Sequence, residues 1–212
     1  NTGNFTGQTF DFNAQVKALL ALPDGRLLVG GDFTRVNGET HVGTVVINPS
    51  TGQIDPSWDL QIVNALRGGA VSVRALTYYD GNVYMGGAFT HLTGGGNSKV
   101  YARNAGRVSL SGRPDRSWNP EISGSVQAVG VSEANSAFYA GGHFTTAHGN
   151  QRAWYAAKFS TQAGAALDAG FSFEPSAPSA GKYQQTISTA GDRVYIGGSE
   201  HSLFGYDAAS NQ

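Results

Sequence analysis

The sequence predicts an all-β protein, a β-propeller of four-stranded antiparallel blades, and three observations carry this prediction. The chain holds 30 glycines among 212 residues but only 14% charged residues, and glycine destabilises helix interiors, which charged unbranched residues favour. A double glycine recurs four times at a nearly constant interval. A turn dipeptide precedes each pair at the same distance, which is typical of repeated hairpins.

The double glycine sets the period of the repeat. The pairs begin at Gly30, Gly86, Gly141 and Gly197, with separations of 56, 55 and 56 residues. Four unrelated ligand loops would not keep this spacing, whereas a glycine in a strand interior lets a neighbouring element approach closely. We therefore expect Gly30 and Gly31 to lie in a strand that packs tightly against another element.

Each unit begins with a predicted hairpin. In the first unit the apolar runs "VKALLAL" and "RLLVGG" flank the turn, and such dipeptides suit the positive φ angles of tight hairpin turns. The turn dipeptides are Asp24-Gly25, Asp80-Gly81, Asn135-Ser136 and Gly191-Asp192.

Two further segments follow each glycine pair, after a variable polar loop. The third is apolar and reads "GTVVINP", "GRVSLS", "YAAKFST" and "LFGYDAA" in the successive units. The fourth reads "GQIDPSW", "GRPDRSW" and "GAALDAGF" in the first three. Four short strands per unit of about 55 residues predict one antiparallel sheet repeated, and a radial arrangement of such sheets leaves only short edges.

We interpret residues 1–212 as a single propeller domain or propeller fragment. Its predicted units cover approximately residues 16–60, 71–120, 125–173 and 182–212. Residues 1–15 resemble the last strand of a blade and are predicted to pair with 182–212. Four units permit either a closed four-bladed ring or a slice of a larger propeller. Since the chain starts at Asn1 without a signal segment, we expect a processed protein or an excised piece.

The repeat resembles a known family. The first unit carries Pro23-Asp24-Gly25, then Gly30-Gly31-Asp32-Phe33-Thr34, and closes with Asp55. This pattern is similar to the delta-60 repeat, a bacterial family assigned a β-propeller fold and no known function. The fourth unit departs from it, with Ser199-Glu200 in place of the Phe-Thr pair. The resemblance implies an extracellular or cell-surface location in a bacterium, beside adhesive or glycan-binding modules.

Charge and composition exclude several function classes. With 14 Lys+Arg against 15 Asp+Glu, the chain has no basic surface for nucleic acid or an anionic membrane. Its apolar runs are far shorter than the roughly 20 residues that span a bilayer, so we expect no membrane insertion. The chain has no cysteine, which rules out disulfides, thiolate metal sites and cysteine nucleophiles.

The acidic and imidazole side chains do not predict a catalytic or metal site. The repeated carboxylates Asp55, Asp115 and Asp168 could act in glycoside hydrolysis, but their constant place beside a turn favours a role as acceptors of backbone N–H bonds. The histidines lack metal-ligand spacing and lie at positions 41, 91, 143, 148 and 201. We therefore predict no catalytic residue, no cofactor and no metal.

The repeated aromatic position is predicted to lie in the core. Trp58 and Trp118 hold a position that Phe171 and, at the N-terminus, Phe10 also fill. A large apolar side chain in every unit is more typical of packing between sheets than of a binding platform.

Residues that break the repeat are better candidates for binding. The second unit has an extended loop, "HLTGGGNSKVYARNAGR", with Lys99, Tyr101 and Arg103, and Trp154 is the one tryptophan outside the repeated position. The connection "DLQIVNALRGGAVS" is also longer than its counterpart "NPEISGS". Because long loops on a rigid scaffold commonly carry binding sites, these four residues form the predicted ligand site.

The expected function is that of a non-enzymatic extracellular interaction module, which recognises a protein or a glycan through loops on one propeller face. One alternative is a structural or self-assembling element of a fibre, surface layer or appendage. A second alternative is a glycan-active enzyme with a site at the central channel. Binding would place unrepeated aromatic and polar residues together on one face, whereas assembly would require large contacts between copies.

Overall fold

The computed structural model describes residues 9–96, 99–171, 182–199 and 204–207. Within these ranges the chain forms short strands and no helix, so no described helix could cross a bilayer. The strands in chain order are β1 Val16–Ala21, β2 Leu27–Gly31, β3 Arg35–Val36, β4 Glu39–Thr40, β5 Thr44–Asn48, β6 Gln53–Ile54, β7 Gln61–Val63, β8 Ser72–Tyr79, β9 Asn82–Ala88, β10 His91–Thr93, β11 Val100–Tyr101, β12 Ala105–Ser109, β13 Val126–Ser132, β14 Ala137–Gly142, β15 Thr146–Ala147, β16 Gln151–Arg152, β17 Ala156–Ser160, β18 Gln184–Ala190, β19 Arg193–Gly198 and β20 Phe204–Asp207.

Four antiparallel hairpins form the framework, as predicted. The hairpins are β1–β2, β8–β9, β13–β14 and β18–β19, and the predicted third strand of each unit pairs with the second strand of its hairpin. The turns show the expected backbone, since Gly25, Asp80, Gly81 and Gly191 all have positive φ, the conformation that tight hairpin turns require. These sheets are called the first to fourth sheet below.

The predicted fourth strand is much reduced. In the part of the chain that the structure describes, only the first sheet has one, the two-residue β6. The second and third sheets have single bridges in its place, Val108 to Pro114 and Phe159 to Leu167. Proline has no N–H to extend a ladder, which limits the pairing at Pro114. The expectation of four-stranded sheets thus holds within the described residues for the first sheet alone.

The segments after the glycine pairs, predicted as variable polar loops, form small ribbons instead. They are β3–β4, β15–β16, and β10–β11 with β7 added along the open edge of β10. The turn of the first ribbon is Asn37-Gly38, and both residues have positive φ. Asn-Gly is a strong hairpin signal, so the sequence contained this information.

Neighbouring sheets pack face to face through three clusters of buried side chains. The first strands of consecutive sheets also contact one another, β1 with β8, β8 with β13 and β13 with β18. No comparable contact joins β1 to β18 within the described ranges. The three clusters are centred on Leu28, Val83 and Met85 between the first and second sheets, Tyr84, Trp118 and Phe138 between the second and third, and Tyr139, Val194 and Ile196 between the third and fourth.

The double glycines lie where the predicted close packing occurs. Gly30 and Gly31 end β2, and a β-carbon placed on Gly30 would lie 2.8 Å from Cγ1 of Val73 in the second sheet. Gly86 is more crowded, since a β-carbon there would meet Cγ1 of Val126 and, at 2.7 Å, Cγ1 of Val129. Any side chain at these two positions would push the sheets apart, so the packing interpretation of these glycines is confirmed.

The repeated tryptophans lie in the core, as predicted. Trp58 and Trp118 are buried, and each indole N–H has an acceptor. Trp58 Nε1 donates to Thr44 Oγ1 at 3.2 Å, and Trp118 Nε1 donates to the Ser160 carbonyl at 2.9 Å. Burial without a hydrogen-bond partner would cost stability.

The N-terminal segment covers part of the first sheet. Phe12 forms a bridge with Val36, as Ile62 does with Leu92 in the second unit. Phe10 precedes Phe12 by two residues and so occupies the phase of Leu60, not that of Trp58. It packs on the first sheet, in keeping with its predicted core role. Of the residues 1–15 that were expected to pair with 182–212, the described ones pair with the first unit instead, since the Asn13 N–H donates to the Arg35 carbonyl and the Gln15 carbonyl accepts the Asp32 N–H. Residues 1–8 and 208–212 lie outside the described residues.

Candidate functional site

Two of the predicted ligand-binding residues line a cleft beside the ribbon formed by β7, β10 and β11. Tyr101 stands in β11 and Arg103 follows it, while Lys99 is exposed just before β11. The cleft has a volume of about 300 Å³. It is lined by Asn64, Ala65, Leu66, Phe89, Thr90, His91, Tyr101, Arg103, Asn104 and Ser123.

Thr90 fastens the long connection from the first sheet to one wall of the cleft. Its N–H donates to the Val63 carbonyl at 2.9 Å, and its hydroxyl oxygen accepts the N–H of Ala65 at 2.8 Å. Asn64 closes the next turn, since its Nδ2 donates to the Ala70 carbonyl at 2.9 Å and its Oδ1 accepts the Leu66 N–H. The wall is therefore held by hydrogen bonds between side chains and backbone, and the Leu66 side chain is left exposed.

His91 and Tyr101 are paired across the ribbon. They are partners in the β10–β11 ladder, with ring centroids 5.4 Å apart in an edge-to-face arrangement. Nδ1 of His91 lies 2.9 Å from the Thr90 hydroxyl. Burial lowers the pKa of His91, and the Lys99 ammonium lowers it further, so the imidazole is neutral at pH 7. Tyr101 is 43% exposed and lines the cleft.

Arg103 and Asn104 form the opposite wall. Nη2 of Arg103 donates to the Ser123 carbonyl at 3.2 Å, and Nδ2 of Asn104 donates to the Ile122 carbonyl at 2.7 Å. Asn104 has φ 60°, a left-handed conformation that asparagine tolerates better than most residues. These bonds fix the Arg103 guanidinium at the cleft and leave several of its N–H groups available.

The cleft combines positive charge with an aromatic surface. None of its lining residues is a carboxylate, and no ion pair joins Lys99 or Arg103 to an acidic group in the described part of the chain. Arg103 can bind a carboxylate or sulfate in a bidentate manner, and the Tyr101 ring can cover an apolar ring face. This arrangement suits an anionic ligand that contains rings.

Trp154 does not line this cleft, although it belongs to the predicted ligand set. It holds in the third unit the position that Arg103 holds in the second, because each precedes a residue with φ 60°, Tyr155 and Asn104. The Arg152 guanidinium lies 4.0 Å from the centroid of the Trp154 ring, which is cation–π geometry. The predicted ligand set therefore combined Arg103 and Trp154, which hold the same position in two successive units and do not share one site.

The repeated aspartates are engaged in turns and ion pairs. Each carboxylate accepts the backbone N–H two residues later, Asp55 from Ser57, Asp115 from Ser117 and Asp168 from Gly170. Each also pairs with a cation, and the pairs are Arg26–Asp55, Arg107–Asp115 and Lys158–Asp168. The interpretation of these residues as turn acceptors is confirmed.

Several cleft residues were missed by the sequence analysis, notably His91, Thr90 and Asn64. The unusual length of the connection that contains Asn64 was the available signal. His91 was not predicted as a site residue because the histidines lack the spacing of metal ligands. Among the described residues no three histidine or acidic side chains lie close enough to hold a metal, and His201 lies outside the described ranges.

Comparison with known proteins identifies the first unit. Residues 22–57 match the model of a family described as a domain of unknown function (DUF5122) beta-propeller, which confirms the resemblance to the delta-60 repeat. The chain is similar in fold to the crystal structure of the computationally designed Ika4 protein, with a TM-score of 0.54, 13% identity and 93% of each chain covered. The designed Ika8 protein gives a TM-score of 0.48 and 15% identity over 93% of this chain and 47% of that chain. No curated protein matches the sequence.

Proposed function

We propose that this chain is a non-enzymatic binding module that recognises an acidic glycan through the cleft beside β10 and β11. The observation that carries the proposal is a cleft that is lined by the exposed Tyr101 and by Arg103 but by no carboxylate, with the Lys99 ammonium close enough to lower the pKa of His91. The volume of about 300 Å³ is at the lower end of the range for small-ligand sites. It suits one or two sugar rings.

The chemistry of an acidic sugar matches this cleft group by group. A uronate carboxylate or a sulfate ester would accept two N–H bonds from Arg103 and an ionic contact from Lys99. The apolar C–H face of the sugar ring would lie on Tyr101. Neutral His91 and the Asn64 amide supply hydrogen bonds for ring hydroxyls.

Two further parts of the proposal concern the arrangement of the four units and the place of the protein relative to the cell. We propose that the four units are consecutive propeller blades of about 55 residues, a view supported by the repeated glycine contacts between sheets. The family resemblance supports a place outside a bacterial cell or on its surface. Catalysis is not part of the proposal, since the repeated carboxylates are already committed to turns and cations.

The test is a glycan array with neutral, uronate-containing and sulfated glycans, followed by calorimetric titration of the strongest ligand. We expect binding to acidic glycans alone and a loss of affinity with added salt, because salt screens exposed charges. Arg103→Ala and Tyr101→Ala should each weaken binding by about tenfold, equivalent to about 1.4 kcal/mol. Tyr101→Phe, which keeps the ring, should retain most of the affinity.

Arg35→Ala is the matched control, because Arg35 is an exposed arginine in the corresponding ribbon of the first unit. It should leave the affinity unchanged. Preference for neutral glycans, or equal losses for Arg35→Ala and Arg103→Ala, would overturn the proposal. A blank array would also overturn it and would turn the search towards a protein ligand.

A further inference from the structure

The three interfaces between sheets share one packing device. The first glycine of each pair forms a notch that receives two side chains from the first strand of the next sheet. A β-carbon on Gly30 would meet Val73 and Leu76, at 2.8 and 3.3 Å. The other notches are Gly86, which faces Val126 and Val129, and Gly141, which faces Gln184 and Ile187.

At each end of the series one half of this contact is present without the other half. Val16 and Leu19 hold in β1 the positions of Val73 and Leu76 in β8, as the pairing with the glycine strands shows. Yet Val16 is 41% and Leu19 63% exposed, whereas Val73 is fully buried. The first sheet thus presents two apolar side chains without a notch to receive them.

The fourth sheet presents the complementary surface. A β-carbon on Gly197 would meet only Thr186 of its own hairpin, at 2.9 Å, among the described residues. Tyr195 is two residues before Gly197 and 38% exposed, whereas its counterparts Tyr84 and Tyr139 are 1% exposed. This notch therefore lacks a following sheet in the described structure.

The outer face of the first sheet is only partly covered and keeps an apolar hollow. Val29 and Ile47 are buried in a cluster with Phe10 and Phe12 of the N-terminal segment, and the cluster includes no residue of the second, third or fourth sheet. The hollow measures about 230 Å³ and is bordered by Val16, Leu19 and Leu27. Burying apolar surface of this kind against another protein surface lowers the free energy of the system.

We propose that the first sheet of one copy of this chain docks on the fourth sheet of a second copy. Val16 and Leu19 would enter the notch at Gly197, which continues the series of sheet interfaces already formed three times within the chain. The contact is heterologous, since it joins two different surfaces, and two copies satisfy both surfaces when the ring of sheets closes. This inference is independent of the glycan proposal and uses a different face of the molecule.

Sedimentation analysis of the 212-residue chain over a range of concentrations tests the proposal. The expected result is a concentration-dependent dimer. Leu19→Lys should raise its dissociation constant by about tenfold or more, because a buried leucine would be replaced by a charge. Leu66→Lys is the matched control, since Leu66 is an equally exposed leucine away from both surfaces, and it should leave the dimer intact.

The notch is tested by a second variant. Thr186→Ser removes the methyl group nearest the new β-carbon, so Thr186→Ser/Gly197→Leu fills the notch without a clash inside the hairpin, and Thr186→Ser alone is its control. The double variant should be monomeric with an unchanged circular dichroism spectrum. Mixed with Leu19→Lys, it should form a heterodimer through the one pair of surfaces left intact, as only a heterologous contact allows.

Three outcomes would overturn the proposal. A dimer that resists both variants would use another interface. A dimer sensitive to Leu19→Lys but not to the filled notch would join two first sheets. A monomer at all concentrations, in which Leu19→Lys lowers the melting temperature, would mean that the chain's own fourth sheet covers Val16 and Leu19.

Discussion

The interface between the second and third sheets and that between the third and fourth use the same backbone device but differ in their side chains. In the first case Val126 and Val129 face the glycine notch, inside a cluster with Trp118 and Phe138. In the second case the leading position is Gln184, which is 1% exposed and whose Nε2 has no hydrogen-bond partner. The repeat therefore fixes where sheets meet, whereas the residues at the notch decide how strongly they hold.

A cation strengthens the better-packed interface. Nε of Arg107 in β12 donates to Asp115 Oδ2 at 2.9 Å, and the same guanidinium donates to the Thr161 carbonyl in the third unit. It also lies 5.7 Å from the centroid of the Tyr84 ring. The guanidinium thus connects two sheets through polar and aromatic contacts at once.

The largest expected effect comes from removing the aromatic centre of the stronger interface. Trp118→Ala should lower the free energy of unfolding by about 3–5 kcal/mol, the range for large buried aromatics. Phe171→Ala, at the corresponding place in the weaker interface, should cost less because Phe171 is only half-buried. Urea denaturation measures both, and equal losses would show that the two interfaces do not differ in strength.

The next effect concerns Arg107. Arg107→Met keeps much of the apolar stem but leaves the partly buried Asp115 without its cation, so the unfolding free energy should fall by about 1–3 kcal/mol. Adding Asp115→Asn should recover part of this loss, since the uncompensated charge is then removed. Full additivity of the two substitutions in a double-mutant cycle would argue against direct coupling.

A smaller effect, of opposite sign, is expected at Gln184. Gln184→Val introduces the residue found at this position in the first three sheets and removes a buried amide without a partner, so stability should rise by about 1 kcal/mol. The reciprocal change Val126→Gln should destabilise the stronger interface. The melting temperatures of the two variants test this prediction. A lower melting temperature for Gln184→Val would mean that the Gln184 amide stabilises the fold.

The smallest effect is the response to acid. Burial alone would raise the pKa of Asp115, but hydrogen bonds from Ser117 and Arg107 outweigh it, and the pKa falls below its ordinary value of 3.8. A carboxylate with a lowered pKa stabilises the fold above its unfolded pKa, and this contribution is lost as the pH falls through the folded value. Stability should therefore decline below about pH 4.

The acid response can also be compared between Asp115 in the second unit and its counterpart Asp168 in the third. The pKa of Asp168 is also lowered, with burial opposing the hydrogen bond from Lys158, but its side chain is more exposed than that of Asp115, at 36% against 26%. Asp115→Asn should flatten the acid dependence of urea unfolding more than Asp168→Asn does. The reverse order would contradict the ranking of the interfaces.

The hairpins, their turns and the places of close contact could all be predicted from the amino-acid sequence. Asp80-Gly81 favours a turn through its own backbone conformation, and Gly30 lets a neighbouring sheet approach because it has no side chain. Both features depend on the residues themselves and can be recognised in the sequence. The roles of Trp58 and Asp55 followed from their constant phase. These features repeat, and repetition makes a local signal readable.

Contacts between segments that are far apart in the chain could not be predicted and are seen only in the folded protein. The tertiary structure joined Tyr101 and Arg103 to Asn64 and Ser123, which lie on separate connections, and it placed Trp154 one unit away. It reduced the fourth strand of the third sheet to a single bridge between Phe159 and Leu167, where no proline limits the pairing. It also left Leu19 exposed and Leu76 half-buried in the same motif, since burial is set by what packs against a residue and not by the residue's own neighbours in sequence.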